Sequence, residues 1–370
     1  MTLDLPTTHR VPWAWIQAHA SPPIRYRTAR DILPPEGREP GLIDALRAEA
    51  LAYKPALAIV KKQSAQGVWG ANLLGLQALK AERLKDVGTI AQYRRLLELG
   101  WGSDDRPLRL TERLLFRLLS RDEDPSLLFE HRPAGLKDAE FALRVREIGR
   151  EATACALAEA GYGDDPRVRG AAQRAATAVS QFLRSEFAEK PIVRLKSRNV
   201  LHPEAYAPTT FLVSLIAHMP GLQRERGGLM IKLASYLAQP APKRQFVLSA
   251  GGRTLNARFT LLGDPIQADA SGNTRDIPLA LYWIEVLARL GVLDSSPTAQ
   301  RVLARLLRDV DEGGVWRPRA IRAIPKATSR LSVHCFPLEA AAARGEVRFA
   351  DVTFRLALIA RLAGWTLEIT

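Results

Sequence analysis

Leu96-Leu97-Glu98-Leu99-Gly100-Trp101-Gly102-Ser103-Asp104-Asp105-Arg106-Pro107 closes one helix and opens another. The leucines have helical spacing, and a glycine just past them supplies the left-handed residue on which helices close. A short oxygen-bearing side chain then caps the free amides of the next helix, and proline is tolerated in its first turn because its missing donor is not needed there. Apolar stretches ending in glycine recur at Gly161, Gly221, Gly291 and Gly364, so successive glycines lie 61, 60, 70 and 73 residues apart. New start signals follow in Asp164-Asp165-Pro166 and Asp294-Ser295-Ser296-Pro297. Between them, Val168, Ala171, Ala175, Val179 and Phe182, or Ile277, Leu281, Ile284 and Leu287, keep the three-or-four spacing of amphipathic helices.

The repeating unit is therefore helix, glycine, turn and capped helix. Such units shield their apolar faces against their neighbours, which predicts an all-α chain of repeated helix pairs, either a closed α/α toroid or an open α-solenoid. Residues 1–50, with Trp13 and Trp15, are expected to form a capping helix pair, and 51–370 the repeat domain. Strand-like alternation is confined to an insertion near 240–275. There Phe246-Val247-Leu248 and Phe259-Thr260-Leu261 flank Gly251-Gly252 and predict one β-hairpin.

The chain has 370 residues, long enough for a large core without metal or disulfide staples. Cys155 and Cys335 are its only cysteines and follow no ligand spacing, which fits a reducing compartment, with the cytoplasm the expected location. No apolar run is long enough to span a bilayer, and the first ten residues do not have the pattern of a signal peptide. The net charge of +14 points to an acidic partner, though an arginine-rich composition also suits helix surfaces.

Two stretches pair glycine with tryptophan: Gln63-Ser64-Ala65-Gln66-Gly67-Val68-Trp69 and Asp309-Val310-Asp311-Glu312-Gly313-Gly314-Val315-Trp316. The glutamine can tie down the next turn, the glycine permits the reversal, and the indole plugs the gap between helix pairs. The first stretch resembles the Gln-Trp repeat of squalene and hopene cyclases and of the related protein prenyltransferases. The second is a degenerate copy with Asp309 or Asp311 in place of the glutamine. The resemblance implies an α/α toroid with an apolar or isoprenoid-type ligand in a central cavity, lined by Tyr93, Phe141, Phe211, Tyr282, Trp283 and Phe354.

The family's chemistry is harder to find. Cyclases of this kind protonate an alkene with an Asp-x-Asp-Asp acid, and the nearest match is Asp309-Val310-Asp311-Glu312, which makes Asp309 and Asp311 the candidate catalytic residues. Asp104-Asp105 and Asp164-Asp165 lack the third acid of a magnesium-diphosphate motif and read as helix caps. His334-Cys335 has no preceding acid and no later histidine, so neither a metal site nor a cofactor is expected. Arg317, Arg319, Arg322, Lys326 and Arg330 form a candidate anion-binding segment, and Lys190, Arg194, Lys196 and Arg198 a second basic cluster. The alternative function is a non-enzymatic basic scaffold for nucleic acid or an acidic protein.

Overall fold

The computed structural model describes residues 5–70, 72–75, 87–120 and 123–370, and the chain is mostly α, with about 52% of it helical. It divides into two compact units. One comprises Met1–Lys62, Arg94–Gly102 and Ile266–Thr370, the other Gln63–Tyr93 and Ser103–Pro265.

Within each unit, helices buried all round are partnered by amphipathic ones. In the first unit, every residue from Ala350 to Ala360 of the helix Ala350–Leu362 is buried, as are ten of the thirteen in Ile277–Arg289. Helix Pro297–Leu307 instead buries one face through Ala299, Val302, Leu303 and Leu306. In the second unit, helix Thr210–Ala217 is wholly buried, whereas Arg106–Leu119 and Pro166–Phe182 bury one face, which in the latter includes the predicted Val168, Ala171, Ala175, Val179 and Phe182. Helices without a polar face belong in a core; those with one belong at its boundary.

Four of the five expected glycine stops close their helices in the same way. Gly100, Gly161, Gly291 and Gly364 have φ of 92°, 97°, 67° and 77°. The next amide donates back to a carbonyl five residues earlier in every case: Trp101 to Leu96, Tyr162 to Leu157, Val292 to Leu287 and Trp365 to Ala360. This is the paired bonding of a Schellman closure. Gly221 departs from the expectation. Its helix ends at Ala217, and Pro220 begins a short helix, Pro220–Glu225, that takes Gly221 into its first turn. Asp165 and Ser296 cap the following helices through the amides of Arg167 and Ala299.

The expected hairpin is there but differently placed. Val247–Ala250 pairs with Arg253–Asn256, while Phe259–Leu261 forms no strand and only bridges to the start of helix Thr210–Ala217. A second hairpin, Ile192–Leu195 with Arg198–Leu201, turns through Lys196 at φ 55° and joins the first by a parallel pairing, giving a four-stranded sheet. In the first unit, Thr8–Val11 and Thr366–Ile369 form a two-stranded parallel ribbon.

The two Gly-x-Trp turns match bond for bond. In the first, the Ser64 amide donates to Val68 O, Gly67 to Ser64 O, and Trp69 to Thr89 Oγ1; in the second, Asp311 donates to Val315 O, Gly314 to Asp311 O, and Trp316 to Thr353 Oγ1. The side-chain bond recurs as well, from Val68 N to Ser64 Oγ and from Val315 N to Asp311 Oδ1. Asp311 thus stands where the first copy has Ser64, and Val310 where it has Gln63. The place of the glutamine is not taken by an aspartate. Gln63 Nε2 donates to Pro107 O at 2.8 Å and Thr111 Oγ1 at 3.0 Å, and so ties its turn to helix Arg106–Leu119.

A buried carboxyl pair in the first unit sets a pH dependence. Both oxygens of Asp351 accept backbone amides, from Leu338 at 2.6 Å and Glu339 at 3.1 Å, and Glu339 accepts from Ser21 N at 2.6 Å. Burial, and then the charge of Asp351, pushes Glu339 up to about 8; burial also raises Asp351. The fold therefore favours the protonated carboxyl. Its contribution is complete below the ordinary glutamate value and disappears as pH rises through about 8. Melting temperature should fall between pH 5 and pH 9, and Glu339→Gln should flatten that fall when followed by circular dichroism. An unchanged slope in the variant would remove Glu339 as its cause.

Candidate functional site

A groove of about 330 Å³ opens in the second unit. The Schellman turn at Gly161 and the following Gly163-Asp164 form one wall, and Arg169 and Gln173 project from the first turns of helix Pro166–Phe182. The opposite wall is the end of helix Thr210–Ala217, continued by His218, Met219 and the short helix Pro220–Glu225. Ala158, Met219 and Leu222 are apolar residues of its lining, and Asp164 and Glu225 bring negative charge to the same groove.

Its polar groups are held in place. The carboxylate of Glu225 takes Gln173 Nε2 at 2.8 Å and Arg169 Nη2 at 3.4 Å, while Gln173 Oε1 accepts both Nε and Nη2 of Arg226. The His218 ring bonds to Ser214 O through Nδ1 at 2.8 Å. A carbonyl can only accept, so Nδ1 carries a proton and donates. Arg224 is exposed at the rim and makes no ion pair among the described residues.

Two buried glutamates of the same unit and the half-buried Glu159 are held by hydroxyl and thiol donors. Glu112 accepts from Tyr93 and Tyr162 at 2.9 and 3.0 Å, Glu151 from Tyr206 at 3.1 Å and from Thr209, and Glu159 from Ser214 at 2.8 Å and the Cys155 thiol at 3.6 Å. Burial raises Glu112 and Glu151 despite these donors, so both tend toward the neutral acid. Nothing in the sequence marks them. Each sits at helical spacing that would equally suit a solvated face.

The residues expected from sequence lie elsewhere. Asp309 pairs with Arg305 at 2.9 Å, and Asp311, in an exposed turn, accepts from the Val315 amide and pairs with Arg317 Nε at 3.3 Å. Both carboxylates belong to the second Gly-x-Trp turn. The six aromatic residues are buried and divide evenly between the units. Tyr93 bonds Glu112, Phe141 meets His131 edge-on, and Phe211 packs on Phe259 in the second unit. In the first, Tyr282 meets His334 edge-on, Trp283 is fully enclosed, and Phe354 lies between Arg27 and Arg355. None of the six lines the groove.

The candidate anion-binding segment does not form one face. Arg317 is engaged with Asp311 and with Glu346 at 2.6 Å; Arg319, Arg322 and Lys326 are exposed; Arg330 is buried. His202 stacks on Phe187, and Cys335 is buried with its thiol on Ser332 O. No helix among the described residues is long and apolar enough to cross a membrane. The chain matches no protein-family model, no curated protein and no solved structure.

Proposed function

We propose that the chain is a terpenoid-cyclase-like α/α-toroid protein that binds an isoprenoid-type ligand with an anionic head. The toroid reading is supported by the alternation of wholly buried and amphipathic helices, the four matching Schellman closures and the recurrence of the Gly-x-Trp turn. The ligand reading rests on one observation: Arg169 and Arg224 line the same groove as Ala158, Met219 and Leu222. Guanidinium groups bind phosphate or carboxylate oxygens through paired N–H donors, and the apolar lining suits a hydrocarbon tail. Glu225, already bonded to Gln173 and Arg169, fixes the position of Arg169.

Calorimetric titration of the full chain with farnesyl diphosphate, farnesol and inorganic pyrophosphate tests this. Farnesyl diphosphate is expected to bind most tightly, because head and tail both contribute. Arg169→Ala with Arg224→Ala should weaken it by about tenfold or more, since a hydrogen bond to a charged group contributes about 1.5–3 kcal/mol. Absence of farnesyl diphosphate binding, or equal binding by the double variant, would overturn the reading.

A further inference from the structure

The four-stranded sheet of the second unit carries basic residues in two sequence segments that contain no acid. Between residues 190 and 203 stand Lys190, Arg194, Lys196 and Arg198 with no aspartate or glutamate, and residues 226–263 are likewise free of acids while containing Lys243, Arg244 and Arg253. Topology brings these segments together. The strand Arg198–Leu201 runs parallel to Val247–Ala250 with Val200 opposite Val247, and Asn199 Nδ2 donates to Gln245 O at 3.2 Å. The start of one strand therefore lies beside the start of the other, so residues 243–245 flank Arg198 while Arg194 and Lys196 occupy the adjoining hairpin.

Arg194, Lys196, Arg198, Lys243 and Arg244 are all exposed, and none is in an ion pair among the described residues. Elsewhere in the chain, arginines such as Arg27, Arg289 and Arg355 are paired with carboxylates inside the protein. Directly opposite residues of an antiparallel pair share a face, so Arg198, opposite Leu195, and Arg194, opposite Asn199, project from different faces, and the cations gathered near the strand starts beside Arg198 are Lys196 of the turn, Lys243 and Arg244. The face that carries Arg198 also carries Leu195, Val247, Ser249, Thr254 and Asn256, with Arg198 Nη1 on Thr254 Oγ1 at 3.3 Å.

We propose that this end of the sheet docks duplex nucleic acid through its phosphate backbone. A dense, unneutralised set of Lys and Arg with small hydroxyl and amide groups is the footprint of backbone contact, whereas single strands call for aromatic platforms on which bases stack. A membrane surface would call for a wide apolar face beside the cations, and Leu195 is the exposed large apolar residue of these strands. Binding is therefore independent of sequence and governed by counterion release.

The test is fluorescence anisotropy of the full chain with a labelled 20-base-pair DNA duplex of arbitrary sequence, across 50–200 mM salt. Every phosphate that the protein ceases to neutralise lowers the log–log salt slope by about 0.9. The variant Lys196→Ala/Lys243→Ala/Arg244→Ala should therefore lose about 2.7 units of slope and bind at least tenfold more weakly at 100 mM salt. Arg319→Ala/Arg322→Ala/Lys326→Ala, which removes three exposed charges elsewhere, should bind within about twofold of the wild type. No duplex binding at 50 mM salt overturns the proposal. So does equal weakening by the two variants, which would make net charge alone responsible, or binding to phosphatidylserine vesicles or polyglutamate in preference to the duplex.

Discussion

Arg355→Met is expected to destabilise the protein by about 3–5 kcal/mol in urea unfolding, the range seen when one partner of a buried ion pair is removed. Arg355 is almost fully enclosed, with its side chain 1% exposed. Its Nη1 meets Glu285 at 2.6 Å, and its Nη2 meets Glu98 and Cys335 O at 2.7 Å. The network extends on both sides, because Glu98 also takes Arg27, Arg27 takes Asp31 at 2.9 Å, and Glu285 takes Arg289 at 2.9 Å. Burial works against ionising Glu285, yet Arg355, Arg289 and Arg27 hold it down to about 2.

Removing Arg355 leaves Glu285 and Glu98 desolvated with less compensation and the Cys335 carbonyl without this donor. Glu285 should make the protein acid-sensitive, because its depressed pKa contributes stability above the ordinary value that is lost as pH falls toward the folded one. The double variant Arg355→Met/Glu285→Leu should recover part of the loss, since a hydrophobic replacement removes the stranded charge with its partner. A loss below about 1 kcal/mol for Arg355→Met would show that the network contributes little net stability.

Gly67→Ala and Gly314→Ala should each destabilise by about 3 kcal/mol or more. Gly67 has φ of 80°, and a methyl group there would stand 2.6 Å from the carbonyl carbon and oxygen of Leu110; Gly314, at φ 89°, would meet Arg10 O at 2.6 Å. Left-handed backbone costs a side-chain-bearing residue about 1–2 kcal/mol, and overpacking against backbone adds about 1–3 kcal/mol. Gly291→Ala is the comparison. Its φ is 67°, but nothing lies within 4 Å of the added carbon, so only the backbone penalty of about 1–2 kcal/mol applies. Equal losses at Gly291 and Gly67 would show that close packing of the Gly-x-Trp turns contributes nothing beyond conformation.

Local signals are legible where local chemistry decides the structure. The glycines at 100, 161, 291 and 364 can be read as helix stops because closure requires a left-handed residue. Gly221 misleads because Pro220 starts a helix as readily as it follows one. The hairpin at Ile192–Leu201 escapes a reading of the sequence because its turn uses Lys196 and Ser197 in place of the glycine or asparagine that usually marks such turns. The buried ion network is not legible at all. Arg27, Glu98, Glu285 and Arg355 are scattered over more than 300 positions, and each also suits a solvated helix face. The groove stays hidden for a related reason: Arg169 and Arg224 sit in helices where an arginine equally suits a solvated face, and His218 follows a helix end.

The division of the chain bears on how it emerges during synthesis. One unit is complete once Pro265 has left the ribosome, since all its segments lie between Gln63 and that residue. The other draws on residues from both ends, and its ribbon joins Thr8–Val11 to a strand ending at Ile369. After Pro265 its early segments still wait for the 105 residues from 266 to 370. At about 5–20 residues per second that delay is at least about five seconds, a window in which the other unit is already complete and chaperones or proteases have access to this one.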